Sequence, residues 1–211
     1  MRGIEQRLRQ RGMRRIAGVD EAGRGALAGP VVAGAVILNP ARVIRGVTDS
    51  KRLTPETRAA LYDRINARAV AVAVAVVEVS VIDRQNILQA ALQAMAEAVS
   101  RLSPQPEYLL VDGTMLPPSS LPGMAVPHGD LLCPSVAAAS IIAKVTRDRL
   151  MEAYHATFPD YGFDTHKGYG TAEHLQALNR FGPSPIHRQS FGPVRQIRLP
   201  FDLLPERGGG A

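Results

Sequence analysis

Four carboxylates stand where apolar runs end. Asp20 and Glu21 lie in Gly18-Val19-Asp20-Glu21-Ala22-Gly23-Arg24-Gly25, Asp112 closes Tyr108-Leu109-Leu110-Val111, and Asp130 follows Gly129. Adjacent side chains on a regular strand point to opposite faces, so Asp20 and Glu21 can share a site only where the strand bulges or ends. Clustered acids at the ends of apolar segments are costly unless something offsets their charge, and a divalent cation is the simplest candidate. Oxygen-only donors suit Mg²⁺ or Mn²⁺ rather than zinc. Two such ions about 3.5–4 Å apart can activate a water and stabilise the leaving oxygen of a phosphodiester. Gly23 and Gly25 would let backbone N–H groups approach a phosphate, with Arg24 adding a charged fork. Read one at a time, Asp112 and Asp130 equally suit helix caps or turns. A non-catalytic nucleic-acid-binding module and a Mg²⁺-dependent phosphatase of small esters are therefore alternatives at this point.

The elements that must position these acids alternate between strand and helix. Residues 14–20 and 30–38 read as strands joined by a Gly-bearing loop, and 70–79 as a strand apolar on both faces and buried on both sides. Thr54 and Pro55 open a helix over 54–67. Leu88, Leu92, Met95, Val99 and Leu102 mark one apolar helix face that ends before Pro104. Residues 107–112 form a short strand, 136–154 an Ala-rich helix opened by Pro134, and 172–180 a helix stopped by Gly182-Pro183. This order predicts an α/β layered domain with a mixed sheet.

The chain has 211 residues, 45% hydrophobic and 21% charged, with a net charge of +6. That composition suits one folded domain rather than a disordered chain. Residues 1–13 are expected to form a basic N-terminal arm, residues 14–198 a single catalytic domain, and residues 199–211 a flexible tail. The first 15 residues hold six arginines against Glu5 alone. Such an arm suits either nucleic acid phosphates or a solvated helical turn. One cysteine excludes a disulfide-stapled fold and a thiolate metal cluster, and fits a reducing compartment. With no apolar run near the roughly 18 residues of a membrane helix, the expected location is the cytoplasm, and the expected state is a monomer. His187 reads as structural, Cys133 as a small apolar filler, and Asp148 as a solvated partner of Arg147 and Arg149. Gln196-Ile197-Arg198-Leu199 with Phe201 has only a faint likeness to a sliding-clamp-binding peptide.

Several stretches together resemble the ribonuclease HII family. They are Asp20-Glu21-Ala22-Gly23-Arg24-Gly25, Thr48-Asp49-Ser50-Lys51, Val111-Asp112-Gly113, Ala137 to Asp148, His166-Lys167-Gly168-Tyr169-Gly170-Thr171, and His187 to Val194. The resemblance implies a ribonuclease H-like fold with a mixed central sheet flanked by helices and a helical C-terminal part. It also implies Mg²⁺- or Mn²⁺-dependent cleavage of RNA in RNA–DNA hybrids. Duplex DNA nicked 5′ of an embedded ribonucleotide, with 3′-hydroxyl and 5′-phosphate ends, is a further implied activity. By the same resemblance Asp20, Glu21, Asp112 and Asp130 hold metal. Gly23, Arg24 and Gly25 sense the ribose 2′-hydroxyl, Tyr169 packs on the deoxyribose beyond the RNA-to-DNA junction, and Lys51 holds a substrate phosphate. Leu131-Leu132 departs from the family, in which a small residue and then Lys or Arg commonly follow Gly-Asp.

Overall fold

The computed structural model describes residues 3–198. The expected tail at 199–211, and with it Leu199 and Phe201 of the clamp-like segment, lies outside the described residues. β1 (Ile16–Ala22) is the hub of a five-stranded sheet ordered β3-β2-β1-β4-β5. β2 (Val31–Ile37) runs antiparallel to β1 and to β3 (Ala71–Val77), whereas β4 (Tyr108–Asp112) and β5 (Gly123–Val126) continue parallel to β1. β1 and β4 therefore end on the same edge, which brings Asp20, Glu21 and Asp112 together.

Each face of the sheet is covered by helices. Ala17, Val19, Ala33, Ala35, Ile37 and Val111 pack on α4 (Ile87–Ser100), which follows α3 (Val79–Gln85). The other face carries the 24-residue α6 (Pro134–Thr157) beside α2 (Pro55–Arg68). α6 lies so close to the sheet that a Cβ on Gly18 would meet the Ser135 carbonyl carbon at 2.0 Å, and one on Gly34 the Ala139 oxygen at 2.6 Å. Only glycine fits under the helix at these points. The contact sets the height at which α6 presents Ser140 and Lys144 to the edge where β1 ends.

The opening of α2 follows the sequence: the Thr54 hydroxyl accepts from the Thr57 amide and Pro55 occupies the first turn. β3 departs from expectation. It is an edge strand on which alanines are buried while Val72, Val74 and Val76 stay half exposed, because α2 covers their face only partly. β5 and α3 carry too weak a periodicity to be read in advance. Residues 3–10 form α1, with Glu5 and Leu8 buried. The Glu5 carboxylate accepts from the Ser135 amide at 2.8 Å and the Ser135 hydroxyl at 2.7 Å, so it caps α6, where Cys133 supplies no side-chain cap. The lone acid among six arginines is thus a tertiary cap.

α5 (Gly129–Leu132) precedes α6, and α7 (Phe163–His166), α8 (Ala172–Phe181) and α9 (Gly192–Arg198) form the C-terminal part. No helix among the described residues is long and apolar enough to cross a membrane. Asp148 corrects another expectation. Its partners are Lys144 at 2.7 Å and Arg58 at 3.6 Å, while Arg147 turns inward and is fully buried. Cys133 is buried, and its thiol is pushed up to about 11 by burial and by Glu5.

Candidate active site

A cleft of about 550 Å³ opens where β1 and β4 end. Asp20, Glu21 and Asp112 line it together with Gly23, Arg24, Gly25, Lys51, Lys144 and Tyr169. No bulge is needed to bring the two adjacent acids together. β1 ends at Ala22, one residue beyond Glu21, and the chain then turns at Gly23 with φ +97°. A side chain at Gly23 would also strike the Arg147 guanidinium at 2.0 Å.

The acids are held in a strained electrostatic state. Asp20 accepts from the Glu21 amide at 2.7 Å, and the neighbouring Ser140 hydroxyl, which eases its charge, bonds Ser50 at 2.8 Å. Burial, followed by the charges of Glu21 and Asp112, pushes the Asp20 carboxyl well above the usual carboxylate range. Burial also raises Glu21, against the opposing pull of Arg24, whose Nη1 lies 3.2 Å from Oε1. Its second oxygen, Oε2, is buried without a hydrogen-bond partner. Asp112 accepts from the Gly129 amide at 2.7 Å. This bond brings α5 against β4 and places Asp130, the second residue of α5, next to the others. Asp130 is buried beside Asp112 and Asp49 rather than on the cleft lining. Burial, Asp112 and Asp49 raise its carboxyl, and Lys51 lowers it. Leu132, two residues on, is exposed.

These residues fit a hard divalent cation. The donors are all oxygen, Arg24 and Lys51 offset their mutual repulsion only in part, and Glu21 Oε2 lacks the partner that a buried oxygen requires. Among the described residues no three Asp, Glu, His or Cys side chains stand close enough to enclose an ion by themselves.

Two buried arginines, neither assigned a role from sequence, shape the rest of the cleft. Arg188 donates to the carbonyls of Gly23, Arg24, Gly29 and Pro30 at 2.7–3.3 Å. Arg147 donates to Ala28, Pro30 and Lys167, and its guanidinium lies 5.4 Å from the Tyr169 ring. Together they hold the Gly23-Arg24-Gly25 loop and the Tyr169 segment on one frame. Ser140, Lys144 and Arg147 recur at four and three residues along α6, so helical spacing was the available signal. Nothing local marked Arg188. Lys167 is tied to Glu152 at 2.7 Å and to the Asp164 carbonyl.

The ribonuclease HII family profile matches residues 17–194, which include every acid of the cleft. This chain belongs to the ribonuclease HII family. The ribonuclease HII of Geobacillus kaustophilus is 54% identical over 193 residues, covering 92% of this chain and 74% of that protein. Among solved structures, the ribonuclease H2 of Pyrococcus horikoshii is similar with a TM-score of 0.74 and 28% identity, covering 87% of this chain and 96% of that one. The ribonuclease HII in a complex with PCNA from Archaeoglobus fulgidus is similar with a TM-score of 0.73 and 29% identity, over 84% and 95% of the two chains. As a ribonuclease HII, the chain is a ribonuclease and hydrolase with the expected mixed sheet between helices.

Proposed function

We propose that this ribonuclease HII is a cytoplasmic, monomeric, divalent-cation-dependent endonuclease. Its substrates are RNA in RNA–DNA hybrids and duplex DNA carrying single ribonucleotides, which it cuts on the 5′ side to leave a 3′-hydroxyl and a 5′-phosphate. The observation that carries this reading is the shared cleft: Asp20, Glu21 and Asp112 open onto the same space as the Gly23-Arg24-Gly25 loop and Tyr169.

In this reading Asp20, Glu21, Asp112 and Asp130 hold Mg²⁺ or Mn²⁺, which when bound supplies an activated water and stabilises the leaving oxygen. The protein's own residues decide where the cut falls. Only the 2′-hydroxyl distinguishes a ribonucleotide in place, so it must be read at close range. A Cβ on Gly25 would touch nothing within 4 Å, so the backbone there is bare towards the cleft. Tyr169 offers a ring for the neighbouring sugar, bracketed by Lys144 and Arg147. Lys51 and Lys144 add positive charge for the scissile strand, and Lys51 offsets Asp130. The single buried cysteine supports a reducing compartment.

The test uses three labelled duplexes, all-DNA, one ribonucleotide and four ribonucleotides, with Mg²⁺ and then Mn²⁺. Cleavage of the two ribonucleotide duplexes alone is expected. Asp20→Asn should abolish cleavage, by about 10³-fold or more as for loss of a principal electrostatic group, while leaving duplex binding within a few-fold. Equal cleavage by parent and variant would remove Asp20 from the chemistry.

A further inference from the structure

Three histidines are packed behind Tyr169, on the side away from the cleft, and no step above uses them. His174 and His187 are fully buried, and their Nε2 atoms are 3.0 Å apart. His166 stacks on His174, with ring centroids 4.3 Å apart and planes 13° from parallel.

The hydrogen bonds at the two ends of the pair fix its protons. The Ser184 amide, which can only donate, points at His187 Nδ1 at 2.9 Å, and the Ser184 hydroxyl lies 2.8 Å from the same atom. His187 Nδ1 is therefore bare and the proton sits on Nε2, which donates to His174 Nε2. His174 then carries its proton on Nδ1, which faces the Tyr169 carbonyl at 2.9 Å. A carbonyl can only accept, so this end independently demands the same tautomer. An extra proton would have to enter at His187 Nδ1, against the Ser184 amide. Burial holds both imidazoles neutral, with their values pushed down to about 4. His166 is fixed as well: its Nδ1 accepts from the Gly168 amide at 3.1 Å, and its Nε2 donates to the Tyr161 carbonyl at 2.6 Å.

The segment so held needs holding. Lys167 and Gly168 both have positive φ, and Tyr169 follows at once. The turn is anchored from the loop side, where the Leu27 and Ala28 amides donate to the Gly168 carbonyl at 2.8 and 3.3 Å, Ala26 bridges to Tyr169 and Arg147 donates to the Lys167 carbonyl at 2.9 Å; the other backbone bonds of Tyr169 are local, from its amide to the His166 carbonyl at 3.0 Å and from the Thr171 amide to its carbonyl at 2.8 Å. The bond from His174 ties that turn to the body of the C-terminal part. The next residue after His187 is Arg188, which holds the Gly23 and Arg24 carbonyls from the same short segment. Adjacent residues thus support the two sides of the cleft that face a ribonucleotide.

We infer that His174 is a positioning residue for Tyr169, kept in the required tautomer by His187 and Ser184, and that this chain, acting with the backbone bonds from Leu27 and Ala28, sets how the Tyr169 ring stands against the Gly23-Arg24-Gly25 loop. Selectivity for a single embedded ribonucleotide then depends on a proton held at His174 Nδ1. The inference rests on the reading of Tyr169 proposed above.

The test compares His174→Asn with His174→Leu in the full chain. The two side chains are similar in size and both lose the ring stacking, but only Asn keeps a donor at the δ position. On the one-ribonucleotide duplex, relative to the four-ribonucleotide hybrid, H174L should lose about tenfold in kcat/KM, the value of about one hydrogen bond. H174N should keep the parent's ratio within about threefold. A drop in melting temperature common to both variants is the lost ring packing and cancels in that comparison. Independently of substrate, amide hydrogen exchange at Tyr169 should be about tenfold faster in H174L than in H174N. Equal exchange in the two variants overturns the positioning role. Faster exchange in H174L with an unchanged substrate ratio upholds the positioning role and instead refutes the junction-reading role of Tyr169.

Discussion

Replacing Arg188 by Met removes the guanidinium that organises the loop from Gly23 to Pro30. Arg188 is fully buried and donates five times to four carbonyls, with no carboxylate partner among the described residues. Those carbonyls differ in what they would retain. Pro30 keeps the Arg147 Nε donor at 3.0 Å, and Gly23 keeps a long bond from the Ala26 amide at 3.4 Å. Gly29, which is buried, has no other donor among the described residues and is stranded, whereas the Arg24 carbonyl is part-exposed and can turn to water. At about 1–3 kcal/mol for the stranded acceptor and about 1 for each of the other lost bonds, less the relief of no longer burying a cation, R188M should lower the unfolding free energy by about 2–4 kcal/mol. Arg188→Lys should recover less than half of that, because one ammonium cannot span carbonyls that a planar fork reaches together. Urea unfolding of parent, R188M and R188K measures the stability. Cleavage of the one-ribonucleotide duplex below the transition measures the loop, with KM expected to rise more than kcat falls. A stability change under about 1 kcal/mol together with unaltered KM would refute the view that this guanidinium shapes the cleft.

Two further outcomes follow from contacts outside the cleft. Glu5→Ala strands the Ser135 amide at the start of α6 and should cost about 1–2 kcal/mol in urea unfolding, with cleavage per folded molecule within twofold of the parent. A cost near zero would mean that α1 does not cap α6 in solution. The buried imidazoles make stability depend on pH. Folded, His174 and His187 take up protons only near pH 4, whereas unfolded they do so near 6.5. Across that window the unfolded chain binds more protons, so the unfolding free energy should fall as pH drops from about 6.5 to about 4. H174N, with one imidazole fewer, should show a shallower fall, and an identical slope in parent and variant would contradict neutral burial of His174.

The sequence by itself identified the acids of the cleft and much of the framework. Acids closing apolar runs at Asp20, Glu21 and Asp112 name strand ends whatever the strands pair with, because side-chain alternation and turn glycines are local properties. Thr54-Pro55 and the three-and-four spacing of Leu88 to Leu102 likewise identify their helices without tertiary information. Pairing order, depth and partner choice are not local. That β4 runs parallel beside β1, so that Asp112 meets Asp20 rather than an opposite edge, was decided by the fold. So was the identity of the Asp148 partners, since whether Arg147 turns inward depends on carbonyls more than a hundred residues away. Glu5 read as a stray acid in a basic arm until α1 packed beside α6. His187 read as structural, but its partners, like those of Arg188, came only with burial. The physical reason is common to all of them. A charge or an imidazole acquires a role when water is taken away from it, and the partners that replace the water come from distant parts of the chain.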